Sequence, residues 1–406
     1  MIAQIQKSML SGTVKAPPSK SMAHRLAICA CLSDGESKIS GLDVLSEDVQ
    51  ATISCMEKLG AKISISGDKL CVQGFDISKS ECDDVLCVRE SGSTLRFLIP
   101  LCLMTDKKIS LTGSVRLFER PLGVYETICR QKGFLFEKKE NRLTVCGKLK
   151  PGTYEIPGDI SSQFVSGLLF ALPLLDGDST IKIIGKLESK PYVLMTIEAL
   201  LQYGVDVSFV SDNEIAVKGN QAYKPNNCTV EGDYSNAAFF EALNLFGHNV
   251  KVVGLCENSL QGDKVYKEYF KALSEGFCTL DVENCPDLAP MLMAVAAEKH
   301  GAIFTGTRRL KIKESDRADT MKEELSKLGA HVEVEENSVT VKKTPLHPPL
   351  ANVESHKDHR IVMALSVMLT KYGGKVNNCQ DVSKSMPDFF ERLTKLGAKV
   401  DISENQ

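Results

Sequence analysis

Residues 161–175, with the sequence SSQFVSGLLFALPLL, show the pattern that decides the fold: a polar cluster directly followed by an apolar run of helical length. Serine in such a cluster is typical of a helix N-cap. The first turn of a helix has free backbone N–H groups and about half a positive charge, so it attracts anions. Five further clusters open apolar runs in the same way: Ser19-Lys20-Ser21, Glu90-Ser91-Gly92-Ser93, Asp233-Tyr234-Ser235-Asn236, Pro286-Asp287 and Asp358-His359-Arg360. Six such helix starts predict a protein that surrounds a strongly anionic ligand.

A second repeated feature lies downstream of these helices. Glycine ends an amphipathic stretch in Leu59-Gly60-Ala61 and in Leu396-Gly397-Ala398, as is typical of a helix C-cap. Alternating segments such as residues 62–66 follow and predict strands. The repeat recurs about every 70 residues, a longer period than that of solenoids and propellers. We therefore predict six β-α-β-α-β-β units, the fourth of them degenerate because Gly276 is displaced.

The composition indicates a globular protein of a reducing compartment. Of the 406 residues, 43% are hydrophobic and 25% charged, and no stretch approaches the apolar length of about 20 residues that spans a bilayer. The N-terminus shows no signal-peptide pattern. The 14 cysteines form no C-x-x-C pair, so we expect buried thiols rather than disulfides or zinc ligands. We expect a cytoplasmic protein, and the net charge of −3 argues against a general nucleic-acid-binding surface.

Two segments are candidate crossings between domains. One is Lys15-Ala16-Pro17-Pro18, and the other is the segment 219–227, in which Gly, Pro and Asn accumulate. We therefore expect one domain at residues 15–227, with repeats one to three. Residues 1–14 and 228–406 would form a discontinuous domain with repeats four to six. A chain that crosses twice can hinge and close over a ligand.

The sharpest local signal is Pro17-Pro18-Ser19-Lys20-Ser21-Met22-Ala23-His24-Arg25. Its prolines keep the entering chain extended, so Lys20 and Ser21 fall at the helix start. Ser21 and Arg25 are four residues apart and share a helix face. Together these groups can bind a phosphate or a carboxylate. The alternative is an N-capped helix with a surface lysine and arginine, and the spacing alone does not decide between the two.

Charged segments also lie between the second strand and second helix of several repeats. In Lys311-Ile312-Lys313-Glu314-Ser315-Asp316-Arg317, a helix would bring two cations and one acid onto the same face. A solvated helix face is the commoner explanation of such a run. Similar segments recur at equivalent positions: residues 116–120, Ser189-Lys190-Pro191-Tyr192 and Ser383-Lys384-Ser385. This recurrence favours a functional role.

Asp287 and two histidines are the other candidate groups. By default Asp287 is the N-cap of the apolar helix that follows it, but beside cations it would serve as a general base. His356 and His359 are three residues apart, but no third ligand is in view and they do not predict a metal site.

Taken together, these motifs resemble those of the EPSP synthases, or 3-phosphoshikimate 1-carboxyvinyltransferases, enolpyruvyl transferases of the shikimate pathway to chorismate and the aromatic amino acids. The resemblance covers residues 15–390. Its most specific segments are Ser19-Lys20-Ser21 with Arg25, Ser91-Gly92-Ser93 with Arg96, Glu119-Arg120-Pro121, Ser161-Ser162-Gln163, Ser189-Lys190-Pro191-Tyr192, Pro286-Asp287, Lys313-Glu314-Ser315-Asp316-Arg317, Asp358-His359-Arg360 and Lys384 before Pro387-Asp388. It implies an α/β fold, a two-domain inside-out α/β barrel with three repeats per domain.

The resemblance also implies the reaction. The 5-hydroxyl of shikimate 3-phosphate would attack C2 of phosphoenolpyruvate, and the tetrahedral intermediate would lose phosphate to give 5-enolpyruvylshikimate 3-phosphate. The substrates bring two carboxylates and two phosphates together, so cations must offset their repulsion. The family uses no metal or organic cofactor, and we expect a monomer with no nucleic-acid or membrane partner. The family also includes targets of glyphosate.

The resemblance assigns the site residues by position. It assigns shikimate 3-phosphate to Lys20, Ser21, Arg25, Ser161, Ser162, Gln163, Ser189, Tyr192, Asp287 and Lys313. It assigns phosphoenolpyruvate to Lys20, Gly92, Arg120, Gln163, Arg317, Arg360 and Lys384. Asp287 would take the hydroxyl proton, with Lys313 close to it. Glu314 or Lys20 would handle the proton at C3, and His359 would support Glu314.

Three positions depart from the family pattern. Glu90 stands where Asn is frequent, and its carboxylate would repel phosphoenolpyruvate unless an Arg or Lys pairs with it. Ser93 replaces a common Thr, and Arg309 adds a cation where some members have Asn. Gly92 is retained, so the backbone can approach a ligand closely. Members with Gly at this position are often inhibited by glyphosate.

Two other protein classes compete with this interpretation. The enolpyruvyl transferase that acts on UDP-N-acetylglucosamine has Lys-Asn where this chain has Lys20-Ser21, and a reactive cysteine where residues 115–119 have none. A ring-forming clamp of repeated α/β units needs basic residues spread along its helices to meet nucleic acid. Here they gather at helix starts and in loops.

Overall fold

The chain folds into two compact units. A computed structural model describes residues 1–82 and 84–404. The inserted unit is Pro18–Glu231, and the split unit combines Met1–Pro17 with the chain from Gly232 onward. Among the described residues, no helix has the length and apolar character that crossing a membrane would require.

Strands and helices alternate along most of the chain. The strands are β1 (Ile2–Gln6), β2 (Ser11–Lys15), β3 (Glu36–Ser40), β4 (Lys62–Ser66), β5 (Lys69–Gln73), β6 (Val85–Arg89), β7 (Ile109–Gly113), β8 (Leu135–Lys138), β9 (Arg142–Cys146), β10 (Thr153–Pro157), β11 (Ser179–Ile184), β12 (Val207–Ser211), β13 (Glu214–Val217), β14 (Asn227–Thr229), β15 (Asn249–Val253), β16 (Cys278–Asp281), β17 (Ala302–Thr305), β18 (His331–Val334), β19 (Ser338–Lys342), β20 (Val353–Glu354), β21 (Gly374–Asn377) and β22 (Lys399–Ser403). The helices are α1 (Lys20–Leu32), α2 (Glu47–Leu59), α3 (Gly92–Cys102), α4 (Val115–Glu119), α5 (Gly123–Lys132), α6 (Ser162–Ala171), α7 (Lys190–Gln202), α8 (Tyr234–Ala242), α9 (Tyr266–Glu275), α10 (Ala289–Glu298), α11 (Arg317–Ser326), α12 (His359–Tyr372) and α13 (Phe389–Lys395).

The inserted unit repeats one small sheet three times. The strand orders are β14-β3-β5-β4, β6-β7-β9-β8 and β10-β11-β13-β12. In each sheet the first pair is parallel and the other pairs are antiparallel. A helix joins the two parallel strands β6 and β7, as a parallel pair requires. The predicted β-α-β-α-β-β order is therefore confirmed in the second and third repeats, and in the first repeat β14, from the far end of the unit, takes the place of the leading strand.

The split unit contains the same sheet twice and a reduced version of it. The four-stranded sheets are β16-β17-β19-β18 and β20-β21-β1-β22, and the reduced sheet is β15-β2. In the reduced repeat α9 ends at Glu275, and β16 of the next repeat begins at Cys278. The space between them cannot hold a hairpin, which agrees with the degenerate fourth copy expected from the displaced Gly276.

The ends of the inserted unit differ slightly from the expected domain bounds. β14 pairs with β3, and the N–H of Ser19 donates to the carbonyl of Glu231 at 2.8 Å, so residues 228–231 belong to the inserted unit. Residues 15–17 belong to the split unit, where the N–H of Ala16 donates to the carbonyl of Val253 at 2.8 Å. The short strand β14, with the sequence Asn227-Cys228-Thr229, carries no strand pattern, and the bound expected at 227/228 therefore fell inside it.

Each unit has its core around three helices that are buried on all sides. Helices α1, α3 and α6 occupy the inserted unit, and α8, α10 and α12 the split unit. A helix that is apolar all round must lie inside a protein. The strands bury alternate residues, so each sheet covers the helices with one face. Helices inside and sheets outside confirm the predicted inside-out α/β arrangement.

Candidate active site

Serines cap the three core helices of the inserted unit. The hydroxyl of Ser19 accepts the N–H of Met22 at 3.3 Å, and that of Ser91 accepts the N–H of Thr94 at 3.2 Å. Ser161 caps α6 in the same way. The predicted N-caps are confirmed here, and residues Lys20, Gly92 and Ser162 follow directly as the first residues of their helices.

Arg25 is the centre of the first cluster of the inserted unit. Its guanidinium is buried and donates to the hydroxyl of Thr196 at 2.8 Å and to the carbonyls of Ser21 and Tyr192 at 2.6 and 2.9 Å. It also lies 5.2 Å from the centre of the Phe97 ring. Among the described residues, no carboxylate forms an ion pair with it. Burial lowers the pKa of Arg25 to about 10, so it remains a cation at neutral pH and is available to an anion.

Lys20 lies beside an acid that the sequence analysis missed. Its ammonium is 3.0 Å from a carboxylate oxygen of Asp48 in the first turn of α2, and both side chains are largely buried. Asp48 is 28 residues away along the chain. No local motif predicts such a contact, so the pair could be found only in the fold.

Gly92 begins α3 next to two guanidinium groups. A Cβ atom at this position would lie 2.9 Å from an Nη1 atom of Arg120 and 2.9 Å from that of Arg96, which is closer than real Cβ contacts. Gln163 accepts from Arg96 at 2.9 Å and donates to Ser93 at 3.0 Å. The structure therefore brings together three residues that the sequence assigned to phosphoenolpyruvate: Gly92, Arg120 and Gln163.

Ser189 directly precedes α7 and completes the predicted set in the inserted unit. It is buried and adopts a left-handed conformation with φ of 59°, and Lys190 then begins the helix. The N–H of Tyr192 donates to the carbonyl of Ser189 at 3.1 Å. Because Tyr192 in turn accepts from Arg25, the structure joins Ser189, Tyr192 and Arg25 in one cluster.

In the split unit, a single guanidinium contacts three carboxylates. Arg317 is fully buried, and its nitrogens lie 2.7 Å from Asp287, 2.9 Å from Glu314 and 2.8 Å from Asp358. Burial lowers the pKa of Arg317, but the three acids outweigh burial and raise it well above the ordinary value. The structure thus brings together Arg317, Asp287 and Glu314, three of the site residues that the family resemblance assigned.

Asp287 is held by cations rather than by a helix. Helix α10 begins at Ala289, and Leu288 is its N-cap, so the default expectation that Asp287 caps the helix was wrong. Besides Arg317, the carboxylate has Lys313 at 3.4 Å and Arg360 at 3.5 Å. Burial raises the pKa of Asp287, but these three cations together hold it well below the usual range.

Lys313 and Glu314 do not lie on a helix. Asp316 is the N-cap of α11, which begins at Arg317, and its carboxylate accepts the N–H of Asp319. The argument from helical spacing was therefore wrong. Ionic contacts bring the groups together instead, since Lys313 pairs with Asp287 and Glu314 with Arg317.

The start of α12 orients a further guanidinium. Asp358 is the N-cap and accepts the N–H of Arg360 at 2.9 Å, while the Arg360 guanidinium donates to Asn236 at 2.9 Å. Lys384 is buried and donates to the carbonyl of Lys357 at 2.6 Å. His359 is buried beside Asp358. Its expected contact with Glu314 stays a prediction.

Sequence reasoning missed three groups that orient predicted ones. They are Asp48, Arg96 as a partner of Gln163, and Asn236, which accepts from both Arg360 and Ser385. Of the departures from the family pattern, Glu90 is half-buried, and Arg309 is buried and donates to the carbonyl of Glu283 at 3.0 Å.

Comparison with known proteins shows the family to which the chain belongs. The family model of EPSP synthase (3-phosphoshikimate 1-carboxyvinyltransferase) matches residues 5–393. A 3-phosphoshikimate 1-carboxyvinyltransferase of Clostridium kluyveri is 41% identical and covers 98% of this chain and 97% of its own. One of Clostridium perfringens is 40% identical, with 97% of both chains covered.

Solved structures have the same fold. The EPSP synthase of Acinetobacter baumannii superposes with a TM-score of 0.80 at 21% identity, over 99% of both chains. The enolpyruvyl transferase NikO of Streptomyces tendae gives 0.75 at 14% identity, over 98% of both chains. Because the family match and the relatives both span nearly the whole sequence, this chain belongs to the EPSP synthase (3-phosphoshikimate 1-carboxyvinyltransferase) family.

Proposed function

We propose that this protein transfers the enolpyruvyl group of phosphoenolpyruvate to the 5-hydroxyl of shikimate 3-phosphate, giving 5-enolpyruvylshikimate 3-phosphate and inorganic phosphate. Family membership and the names of the relatives support the activity. The observation that carries it is the cluster around Asp287, in which one carboxylate is held by Lys313, Arg317 and Arg360. A base surrounded by cations suits a reaction between two anions that must lose a hydroxyl proton.

Shikimate 3-phosphate binds mainly to the domain expected at residues 15–227. Arg25 supports this assignment, since its buried charge is held by a hydroxyl and carbonyls and is available to an anionic group of the substrate. Charge-assisted hydrogen bonds of this kind are the strong ones. The full set is Lys20, Ser21, Arg25, Ser161, Ser162, Gln163, Ser189, Tyr192, Asp287 and Lys313.

Phosphoenolpyruvate binds to a set that is richer in guanidinium groups. Gly92 supports this, because its missing Cβ leaves room beside the guanidinium of Arg120. Guanidinium forks bind carboxylates and phosphates with two parallel hydrogen bonds. The set is Lys20, Gly92, Arg120, Gln163, Arg317, Arg360 and Lys384.

Asp287 accepts the proton of the 5-hydroxyl while the oxygen forms a bond to C2. The electron pair of the C2–C3 double bond takes a proton from Glu314 or Lys20, with His359 supporting Glu314. In the second step the group that gave the proton takes one back from C3, the double bond forms again, and phosphate leaves with the electron pair of the C2–O bond. No metal or organic cofactor takes part.

The low pKa of Asp287 in the free protein makes it a weak base, and substrate binding raises this pKa. Arg317 and Arg360 hold the carboxylate in the free protein. When both cations turn toward the anionic phosphoenolpyruvate, their hold on Asp287 weakens and its pKa rises toward the range of a general base. Binding of the electrophile therefore activates the base.

A cytoplasmic monomer without nucleic-acid or membrane partners completes the proposal. All 14 cysteines are free thiols, which suits a reducing compartment. The negative net charge supports the absence of a nucleic-acid partner. The family resemblance supports the monomer.

One assay tests the activity. Purified protein is incubated with phosphoenolpyruvate, and inorganic phosphate is measured with and without shikimate 3-phosphate. We expect release only when shikimate 3-phosphate is present. Release with UDP-N-acetylglucosamine and none with shikimate 3-phosphate would assign the protein to the other enolpyruvyl transferase.

A further inference from the structure

Two consecutive residues before α12 adopt a conformation that side chains rarely take. His356 has a φ of 51° and Lys357 a φ of 59°, both in the left-handed region, and neither is glycine. For residues with a Cβ this backbone is strained, and it persists only where surrounding contacts hold it. The two-residue turn therefore needs an anchor.

The anchor is Glu324 of α11, which is wholly buried. One of its oxygens accepts from His356 Nε2 at 2.7 Å, and the other accepts the N–H of Glu354 at 2.9 Å. Lys327 contacts both oxygens, at 2.8 and 2.9 Å. Glu323, Glu324 and His356 are close enough to suggest a metal site, but the ammonium of Lys327 already contacts both Glu324 oxygens.

The residues that follow His356 determine the positions of three groups proposed to bind phosphoenolpyruvate. The carbonyl of Lys357 accepts from Lys384 at 2.6 Å. Asp358 then accepts from the side chain of Arg317 at 2.8 Å and from the backbone of Arg360 at 2.9 Å. A shift of the turn would therefore move Lys384, Arg317 and Arg360 together.

We propose that His356, held by the buried carboxylate of Glu324, is a positioning residue for phosphoenolpyruvate binding. It touches neither the substrate nor the reacting atoms in this proposal, and it acts through the strained turn. The inference rests on the proposed function, since it concerns the phosphoenolpyruvate half of that site. It gives His356, for which the sequence predicted no metal ligation, a role in positioning.

The anchor is sensitive to pH. His356 faces Glu323 and Glu324 of α11 and the ammonium of Lys327. The hydrogen bond and charge of Glu324 raise the pKa of His356, with Glu323 adding to this and burial and Lys327 opposing it. Below that pKa the anchor is an ion pair, and above it only a neutral hydrogen bond remains. The affinity for phosphoenolpyruvate should fall as pH rises through this range.

Steady-state kinetics of two variants test the proposal. For His356→Ala we expect the KM of phosphoenolpyruvate to rise about tenfold, with the KM of shikimate 3-phosphate within about twofold of wild type, because small displacements of binding groups are costly. His356→Gln keeps a neutral donor, so it should recover most of the affinity and lose the pH dependence. The control is His331→Ala, which removes an exposed histidine paired with Glu333 and should change neither KM.

Hydrogen exchange of the free protein separates this inference from the proposed function. In His356→Ala, peptides that cover residues 355–361 should exchange faster than in wild type, whichever reaction the enzyme catalyses. If wild type releases no phosphate with shikimate 3-phosphate, the proposed function fails while faster exchange still supports the anchor. An unchanged phosphoenolpyruvate KM, an equal rise in both KM values, or unchanged exchange in the variant would overturn the inference.

Discussion

Arg25 and Arg317, one buried guanidinium in each unit, are held in different ways. In the inserted unit, Arg25 donates to a hydroxyl and two carbonyls, whereas in the split unit Arg317 contacts three carboxylates. The positive charge of a guanidinium among neutral acceptors can attract an anionic ligand, whereas the charge of one among acids is largely balanced by the neighbouring carboxylates. The same repeat therefore surrounds Arg25 with neutral acceptors in one unit and Arg317 with acids in the other.

A series of buried hydrogen bonds near the starts of the core helices in the inserted unit also joins neutral groups. In the inserted unit, His24 Nδ1 lies 2.8 Å from the hydroxyl of Thr52, which is 2.7 Å from that of Thr94, which donates to the cap Ser91 at 2.7 Å. Burial, followed by the charges of Lys20 and Arg25, lowers the pKa of His24 well below its ordinary value. Because the groups in this series of hydrogen bonds are neutral, it responds to pH differently from the ionic network of the split unit.

The largest effect that the comparison predicts is on the split unit. We expect Asp287→Ala to lower kcat by about 10³-fold and to leave the binding of both substrates largely intact, because it removes the proposed base. Rates of phosphate release and substrate KM values measure this. Near-normal turnover would remove Asp287 as the base, and the charge-balanced cluster would then have a purely structural role.

The next largest effect falls on the inserted unit. Arg25→Ala removes a charged hydrogen-bond donor, a loss of about 1.5–3 kcal/mol, so the KM of shikimate 3-phosphate should rise roughly 10- to 150-fold. The KM of phosphoenolpyruvate should rise much less. Arg142→Ala is the matched control, since Arg142 is an exposed arginine of the same unit that donates to Ser110 at 2.8 Å. Equal weakening of both substrates would mean that Arg25 is wrongly assigned to shikimate 3-phosphate.

The sequence revealed the short-range contacts of both units but not the long-range ones. Caps such as Ser19 and Ser91 were predicted because the cap hydrogen bond spans three residues. The ion pairs of Lys20 with Asp48 and of Arg317 with Asp358 join residues 28 and 41 positions apart, and only the fold brings them together. The family resemblance gave the order of the motifs but not the balance of their charges.

The errors of the sequence analysis have local physical causes. Asp287 was taken as a cap, but three cations hold its carboxylate and α10 begins two residues later. Lys313 and Glu314 were given helical spacing, although Asp316 is the better cap and starts α11 after them. In both cases ionic contacts decided the local geometry.

A smaller effect is expected from the first residue of α3. In Gly92→Ala the new Cβ would crowd the guanidinium groups of Arg96 and Arg120, whose ends can shift by a few tenths of an ångström. We therefore expect a rise of about tenfold in the KM of phosphoenolpyruvate and little change for shikimate 3-phosphate. Gly123→Ala at the start of α5 is the control, because a Cβ there meets nothing within 4 Å. Similar effects of the two variants would show that crowding at Gly92 is unimportant.

The smallest effect concerns stability, and its sign distinguishes the two units. The pKa of His24 is lowered in the folded protein. Its contribution to the free energy of unfolding is therefore complete above the unfolded pKa of about 6.5, and it decreases by at most about 1.4 kcal/mol for each pH unit below that value. The pKa of His356 is raised, so its contribution is complete below about 6.5 and is lost as pH rises through the folded pKa. Urea unfolding of wild type, His24→Gln and His356→Gln between about pH 5 and pH 8 measures both contributions as differences from wild type. Relative to wild type, His24→Gln should gain stability as pH falls, and His356→Gln should gain it as pH rises. If the stability differences of both variants changed in the same direction with pH, the neutral and ionic networks would not distinguish the two units.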